Sequence, residues 1–352
     1  MSSEGIKVAI FGAAGESAGR ILSGLLESKT PIYKVTALAR SASSSKPVYT
    51  ELAAQGVNVV AVDLYGPEAE LVSALQGQDV IIASVPPNVL ESQLPLIRAA
   101  KLANVKRFIP SAFAMAITPN GVSTVQKEKE EIYAELAASG LSYTIIDVGW
   151  WYNGFIPNIL SGKTDHAIAL PDFIQNLVPG DGEMKTYVVD NEDVGNFVAR
   201  IIADPRTINK RVMAAGASLS FNEMFGIAEE LTGEKALRKY VRLPESFSLQ
   251  KPSGQPLTCV LQASADELKS MIDDMSSKSQ NDPRDYFLLV GKFWLEYYYS
   301  SFIDGDNSPE GAKRLDYILA TDLYPDMNPH CFKDFFKDIL AKRRQVPYSD
   351  RF

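Results

Sequence analysis

Short apolar runs alternate with segments of helical periodicity over roughly the first 150 residues. Stretches such as SAGRILSGLLES and EAELVSALQG space their apolar residues as amphipathic helices do. Strand and helix alternating at this rhythm predict an α/β fold with a doubly wound parallel sheet covered on both faces. The runs predicted as strands are Lys7 to Phe11, Lys34 to Arg40, Val57 to Leu64, Asp79 to Val85, Val105 to Ser111 and Leu141 to Val148.

The alternation ends near residue 155. The stretch from Phe155 to Gly182 contains Pro and Gly and is predicted to be irregular, whereas Met184 to Asp204 predicts a strand, an acidic N-cap region and a helix. We therefore expect residues 1–155, together with about 184–215, to form a Rossmann-type dinucleotide-binding domain. Residues 156–183 and 216–352 are expected to form a smaller α/β substrate-binding domain.

Composition narrows the class of partner. The chain has 352 residues, 46% of them hydrophobic and 22% charged, which is typical of a soluble globular protein. A net charge of -8 without a block of basic residues argues against nucleic acid and against an anionic membrane surface. We expect a small-molecule partner and a monomer or homodimer.

Targeting signals and metal-binding patterns are not evident. The N-terminal residues lack the pattern of a signal peptide, and no apolar run reaches the ~18 to 20 residues of a membrane span, so a cytoplasmic location is expected. Cys259 and Cys331 are the only cysteines and form neither a disulfide framework nor a CxxC site. With His166 and His330 as the only histidines, a multi-histidine metal site or a Ser-His-Asp hydrolase is disfavoured, and no metal is expected.

The turn after the first predicted strand reads GAAGESA. Glycines at such a turn let the backbone approach a pyrophosphate, and the amides of the next helix meet its charge. Glycine-rich turns also occur as plain punctuation, but this one stands at the first strand-to-helix junction of a βαβ pattern. The residues assigned to cofactor binding here are Gly12, Ala13, Ala14, Gly15, Ser17 and Ala18.

The end of the second predicted strand indicates which dinucleotide binds. Sites that prefer NAD carry an acidic residue there, whereas an arginine suits a 2′-phosphate. Arg40 stands at this position without an Asp or Glu beside it, while Ser41 can donate a hydrogen bond and Lys46 adds a positive charge. NADPH or NADP is therefore expected. The alternative is a solvated basic turn, which would be the preferred interpretation of these residues at any other place in the fold.

The fifth predicted strand carries a family resemblance. VKRFIPSAFA, from Val105 to Ala114, resembles the V-K-R-F-x-P-S-E-F-G segment of isoflavone and phenylcoumaran benzylic ether reductases, which are atypical short-chain reductases related to NmrA-like proteins. Glu192 to Val212, Leu219 to Glu234 and Asp322 to Met327 resemble the second half of that group in order and spacing. The resemblance implies a Rossmann fold with NADP, and cofactor contacts from Ser84, Ser111 and Phe113.

The family motif K-x-x-I followed by G-I-x-Y-T matches Lys129, Ile132 and Gly140 to Thr144. The resemblance implies that Lys129 contacts the cofactor and is a general acid/base beside the nicotinamide. Lys127 is the neighbouring alternative. Without the resemblance, the sequence KEKEE would be interpreted as a solvated, charged turn of a helix. Tyr133 lies four residues after Lys129 on the same helical face and is a second catalytic candidate. Whether His330 assists catalysis is left open.

This chain also departs from the family motif. Ser111 to Ala114 lacks the acidic residue and the glycine of S-E-F-G, and GWWYNGF is richer in aromatics than the plant reductases and closer to fungal members. Trp150, Trp151 and Tyr152, together with Phe113, are predicted to contact an aromatic substrate, although adjacent aromatics on a strand cannot all face one way and core packing is the alternative.

The sequence thus predicts an NADPH-dependent oxidoreductase of secondary metabolism. It would reduce an aromatic or phenolic molecule at a carbonyl, enone or benzylic ether, with Lys129 transferring the proton. The alternative is a non-catalytic, NmrA-like NADP sensor that binds a protein partner. A lysine at the catalytic position favours the enzyme, and a hydrolase or lyase would lack a nucleophile-base pair.

Overall fold

The first part of the fold is a parallel sheet of five strands. The structure is a computed structural model that describes residues 5–168, 170, 174–178, 181–238, 265–281, 286–344 and 346–347. The strands are β1 (Ile6–Phe11), β2 (Tyr33–Arg40), β3 (Asn58–Val62), β4 (Val80–Ala83) and β5 (Arg107–Ile109). The helices after them are α1 (Glu16–Glu27), α2 (Pro47–Ala54), α3 (Glu68–Leu75), α4 (Gln93–Leu102) and α5 (Thr124–Ser139).

The strand order is β3-β2-β1-β4-β5, and every pair is parallel. The chain moves outward from β1 in one direction through β2 and β3, then returns to the other side of β1 with β4. In a sheet of this topology, ligands bind outside the carboxyl ends of the strands at the point where the order reverses. The predicted doubly wound α/β fold is confirmed, and its switch point lies between β1 and β4.

Two smaller sheets follow. β6 (Thr144–Asp147), β9 (Lys210–Met213) and β11 (Tyr317–Leu319) are parallel in the order β11-β9-β6, and a single bridge from Tyr143 to Phe108 joins this sheet to the first. β7 (Trp150–Trp151), β8 (Thr186–Val189) and β10 (Ala217–Leu219) form the other, in which β10 is antiparallel to β8. The remaining helices are α6 (Val194–Ala203), α7 (Phe221–Thr232), α8 (Ala265–Asn281), α9 (Tyr286–Phe302), α10 (Pro309–Arg314), α11 (Ala320–Leu323) and α12 (Phe332–Leu340).

Both faces of the first sheet are buried, which explains why its strands are apolar without interruption. Val8 and Ile10 of β1 face one core, which contains α1 and α6, and Ala9 and Phe11 face the opposite core, which contains α3 and α4. A third core is rich in aromatic residues and is built from the loops after β7 together with α7, α8, α9 and α12.

Helices α1 and α6 cross at two glycines. A Cβ built on Gly24 would lie 2.2 Å from the carbonyl carbon of Gly195, and a Cβ on Gly195 would lie 2.0 Å from the carbonyl oxygen of Arg20. No side chain fits between backbones at this distance. The two helices can therefore pack this closely only with glycine at both positions.

Arg107 at the start of β5 is a buried structural residue. Its guanidinium donates to the carbonyl oxygens of Ile201, Ile202 and Asp204 and to the hydroxyl of Thr207 at 3.1 to 3.2 Å. These acceptors lie at the C-terminal end of α6, where carbonyls lack intrahelical partners. Arg107 thereby ties β5 to α6.

Among the helices within the described residues, none combines the length and the apolar character needed to cross a lipid bilayer.

Candidate active site

The turn after β1 is closed against the end of β4. Gly12 has φ +85°, and a Cβ built on it would lie 1.9 Å from the carbonyl oxygen of Ser84. The amide of Ser84 in turn donates to the carbonyl of Phe11 at 2.9 Å. Gly12 is therefore required both for its backbone conformation and for the close approach of the two strand ends.

Helix α1 begins at this turn with open backbone amides. Gly15 is the N-cap residue, donates its amide to the carbonyl of Gly12 at 2.9 Å, and has no side chain that could cap the first turn. The N–H groups of the first helical turn lack intrahelical partners and attract an anion. Ala18 on the same turn is fully buried against the core. The geometry of this segment fits the pyrophosphate of a dinucleotide.

Arg40 lies at the end of β2 and is exposed, followed by a 3-10 turn from Ser41 to Ser43. Lys46 is also exposed, at the start of α2. The buried ring of Tyr49 connects this turn to the glycine-rich one. Burial raises the pKa of Tyr49, and the charge of Arg40 and a hydrogen bond from the backbone of Ala14 lower it. Sequence analysis missed Tyr49, because it reads there as one apolar position of an amphipathic helix.

Ser111 joins the ends of β4 and β5. Its hydroxyl accepts from the amide of Val85 at 3.0 Å and donates to the carbonyl of the same residue at 2.9 Å. The amide of Ser111 donates to Oε1 of buried Gln93 at 2.7 Å. The hydroxyl predicted to contact the cofactor thus also fixes the segment on which it lies.

Phe113 forms the bend that follows. Its φ of +32° is unusual for a bulky side chain, and its amide donates to the carbonyl of Ile146 on β6 at 2.9 Å. The next contacts are from Val148 and Gly149, whose amides donate to the carbonyl of Ala114 at 2.7 and 2.9 Å. The segment after β5 is therefore bound to β6 and the loop that follows it.

Helix α5 has well-defined ends. Ser123 caps its N-terminus by accepting from the amide of Gln126 at 3.2 Å, and Gly140 ends it in the left-handed conformation with φ +72°. The carboxylate of Glu296 on α9, itself buried, accepts from the amide of Thr124 at 2.9 Å. These contacts fix the rotation of the helix and hence the side chains on its inner face.

Lys129 lies on that inner face. Its side chain is 4% exposed, and Nζ donates to the carbonyl oxygen of Ala112 at 3.0 Å. Burial lowers the pKa of the ammonium, the negative charges of Asp147 and Glu130 oppose this effect, and the positive charge of Arg211 adds to it. Lys127, the alternative, is exposed to solvent.

A buried polar network adjoins Lys129. The hydroxyl of Tyr317 donates to Oδ2 of Asp147 at 2.5 Å, and Arg211 hydrogen-bonds to the phenol of Tyr317 and donates to both carboxylate oxygens of Glu130 at 2.8 Å. Burial raises the pKa of the Asp147 carboxyl, while Lys129 and the Tyr317 hydrogen bond lower it.

Tyr133 belongs to the same region. The guanidinium of Arg211 lies 5.4 Å from the centre of its ring. Burial raises the pKa of the Tyr133 phenol well above its ordinary value, and the charge of Asp147 raises it further. The phenol therefore stays protonated at neutral pH.

The three consecutive aromatics divide between two cores, as alternation along a strand requires. Trp150 and Tyr152 are buried in the aromatic core, where Trp150 stacks on Trp294 at 5.6 Å and donates Nε1–H to the hydroxyl of Ser301 at 2.9 Å. Trp151 is half-buried and packs against the core of α1 and α6.

His330 lies in a charged cluster near the C-terminus. Its carbonyl accepts from the hydroxyl of Tyr152 at 3.0 Å, and its Nδ1 is 3.4 Å from the carboxylate of Asp190. Asp190 is already paired with Arg344 at 2.8 Å. This imidazole thus has structural contacts of its own.

The sequence matches a protein-family model over most of its length. The model is that of the NmrA-like family, and it matches residues 4–276. The chain belongs to the NmrA-like family. The family resemblance inferred from VKRFIPSAFA is thereby confirmed.

Curated relatives and solved structures match between 72% and 95% of this chain. An asnovolin J 5′,6′-dehydrogenase from Aspergillus novofumigatus is 36% identical over 337 residues, 95% of each chain. A phenylcoumaran benzylic ether reductase from Nicotiana tabacum is 30% identical over 269 residues, 72% of this chain and 84% of the relative. The leucoanthocyanidin reductase–NADPH complex from Vitis vinifera superposes with a TM-score of 0.71 at 18% identity, covering 95% of this chain and 99% of that one, which supports the fold.

The NmrA-like chain brings most of the predicted site residues to one edge of its sheets. After the carboxyl ends of β1, β4 and β5 lie the glycine-rich turn, Ser84, Ser111 and Phe113. The carbonyl of Ala112, which accepts from the Lys129 ammonium, lies there too. Trp150 and Tyr152 lie instead in the aromatic core. Asp147 and Tyr317 were missed in the sequence analysis, because each reads as one position of a short strand and 170 residues separate them.

Proposed function

We propose that this protein is an NADPH-dependent oxidoreductase that reduces an aromatic or phenolic small molecule at a carbonyl, a conjugated alkene or a benzylic ether carbon. Lys129 is its general acid/base. The names of its relatives include reductases and a dehydrogenase, and a lysine that exchanges a proton serves either direction of such a reaction.

The observation that carries the proposal is the state of Lys129. A buried ammonium is costly unless it is hydrogen-bonded and near opposite charge. Here the side chain is 4% exposed and is held by the carbonyl of Ala112, one residue after Ser111. Because burial lowers its pKa toward the working range, the ammonium is a better proton donor than a surface lysine.

The residues around the turn would hold the cofactor, which when bound supplies the hydride. Gly12 and Gly15 give the pyrophosphate access to backbone amides, and exposed Arg40 gives the 2′-phosphate a cationic fork. Lys129 delivers the proton to the oxygen that gains negative charge. Trp151, half-buried, is the most accessible of the three aromatics for a substrate ring, while substrate contacts from Phe113, Trp150 and Tyr152 stay a prediction.

The test compares Lys129→Ala with Lys127→Ala. Aromatic ketones, enones and benzylic ethers are screened with NADPH, and turnover is followed by the loss of nicotinamide absorbance. Lys129→Ala should lower kcat by roughly a hundredfold or more and leave the affinity for NADPH nearly unchanged, because a general acid/base contributes about 10² to 10⁴.

Lys127→Ala is the matched control, since this lysine lies two residues away on the same helix and is exposed. It should retain full turnover. If Lys127→Ala is instead the inactivating change, the assignment of the acid/base is wrong. If the protein binds NADPH but turns over nothing in the screen, the NADP-sensing role is supported over the enzyme.

A further inference from the structure

Polar side chains of three strands meet beneath the helix that carries Lys129. Ile145 on β6 packs in a small apolar cluster with Tyr133 of α5, so Asp147, two residues further along the strand, faces the same helix. Parallel pairing places Arg211 beside Ile145, and Tyr317 beside Arg211. Because paired residues on neighbouring strands share a face, all four side chains lie on the side of the sheet toward α5.

Asp147 is buried and is held by a hydrogen bond from Tyr317. The side chain is 4% exposed, and Tyr317 donates to Oδ2 at 2.5 Å. Arg211 in turn hydrogen-bonds to the phenol of Tyr317 and is anchored by Glu130. A carboxylate this deeply buried requires a cationic partner. Lys129 is the positive charge that acts on it most strongly.

Position 112 is alanine, so the residue whose carbonyl holds Lys129 brings no charged side chain to it. The carbonyl of Ala112 accepts from Lys129, and the carboxylates whose charges act on the ammonium are Asp147 and Glu130. Of these two, Glu130 is engaged by Arg211 through both of its oxygens.

We propose that Asp147 is a positioning residue for Lys129, and that Tyr317 fixes the Asp147 carboxylate for this purpose. The proposal rests on the role of Lys129 proposed above. An ammonium has three N–H donors. The carbonyl of Ala112 takes one of them, the negative charge of Asp147 favours the ammonium form, and a donor is left for a reacting oxygen. Asp147 itself transfers no proton to the substrate.

The test measures the titration of Lys129 directly in the protein without added cofactor. The Nζ and Cε resonances are followed by NMR against pH in lysine-labelled protein, and the Lys129 signal is assigned by its loss in Lys129→Ala. In Asp147→Asn the pKa of Lys129 should be lower by about one unit or more, because removal of an opposite charge disfavours the ammonium. In Tyr317→Phe the pKa should move in the same direction by less.

Other groups that face the pair remain in these variants. They are Glu130 and Arg211, which are charged, and the phenols of Tyr133 and Tyr297, whose pKa values are raised by burial and by Asp147. The matched control is Tyr324→Phe, which removes another tyrosine–aspartate hydrogen bond, to Asp204 at 3.0 Å. This control should leave the Lys129 pKa unchanged.

The outcomes separate this proposal from the proposed function. If Asp147→Asn and Tyr317→Phe both leave the Lys129 pKa unchanged, Asp147 does not position Lys129; if Asp147→Asn does not fold, Tyr317→Phe alone decides. If Lys129→Ala keeps full turnover while Asp147→Asn shifts the pKa of Lys129, the acid/base role fails and the effect of Asp147 on Lys129 stands. Where turnover is measured, Asp147→Asn should lower kcat and leave the KM for NADPH unchanged.

Discussion

At the scale of single residues, two arginines at strand termini have different tasks. Arg107 begins β5, away from the carboxyl edge, and its guanidinium donates to three carbonyl oxygens at the end of α6. Arg40 ends β2 at the carboxyl edge and is exposed. Ligands of such a sheet bind at the carboxyl edge. Position along the strand therefore separates the structural arginine from the one available to a phosphate.

Arg40→Ala should remove most of the preference for NADPH over NADH. The loss of a charge-assisted phosphate contact should weaken NADPH binding by roughly tenfold to a hundredfold and leave NADH binding unchanged. Isothermal titration calorimetry with both cofactors measures this. Lys34→Ala, at the opposite end of β2 and also exposed, should change neither affinity. Equal affinities of the unmodified protein for the two cofactors would contradict the assignment of Arg40.

Single residues also show what a sequence can and cannot predict. Gly12 was predicted because its requirement is local: a tight turn after a strand. The catalytic role of Lys129 was predicted from the family motif K-x-x-I. Asp147 and Tyr317 carry no local signal, because their importance arises only when β6 and β11 are brought to either side of β9. Partners that meet through tertiary structure cannot be derived from spacing along the chain.

At the scale of elements, strand centres were predicted better than strand ends. The sixth strand was predicted from Leu141 to Val148 and extends from Thr144 to Asp147. Leu141 and Val148 are both buried, although they lie outside the strand. The apolar pattern reports burial, whereas the end of a strand depends on where the neighbouring strand stops pairing.

The crossing of α1 and α6 gives a test of packing between elements. Gly24→Ala places a methyl group where the backbone of Gly195 lies 2.2 Å away. The variant should be destabilised by about 1 to 3 kcal/mol, the usual cost of overpacking. Gly226→Ala in α7 is the matched control, because a Cβ there meets nothing within 4 Å. It should be stabilised by about 0.5 to 1 kcal/mol, since alanine is more favourable than glycine inside a helix.

Denaturant unfolding followed by circular dichroism measures both glycine variants. The sign of the change distinguishes them, so the comparison does not depend on absolute stability. A Gly24→Ala protein as stable as the unmodified one would show that the two helices separate without cost.

At the scale of the whole molecule, the C-terminal part of the chain holds the segment next to the site. Asn307 accepts from the amide of Ala116 through Oδ1 at 3.0 Å and donates through Nδ2 to Thr186 and to the carbonyl of Tyr187. β11 also pairs with β9, across the boundary expected between the domains. The division into two domains at residues 155, 184 and 215 stays a prediction.

Asn307→Ala should loosen residues 114–118 without unfolding the protein. Its loss leaves the buried amide of Ala116 without its acceptor, which costs about 1 to 3 kcal/mol. Hydrogen exchange of this segment, read by mass spectrometry, should therefore become about tenfold faster or more. Asn222→Ala, which removes hydrogen bonds at the surface, should leave exchange of the segment unchanged. Unchanged exchange in Asn307→Ala would refute the role of this residue as an anchor.

The contact between Gly24 and Gly195 has a consequence for the exchange of gene segments between relatives. The two glycines lie 171 positions apart in a chain of 352 residues, so about half of the single crossovers that recombine two parents place them on fragments of different origin. If one parent carries a larger residue at either position, its own partner helix accommodates that residue. The partner helix from the other parent does not, so the hybrid would contain a clash. Libraries of hybrid proteins built on this chain should therefore recover folded members chiefly when both parents carry glycine at both positions or when α1 and α6 are inherited together.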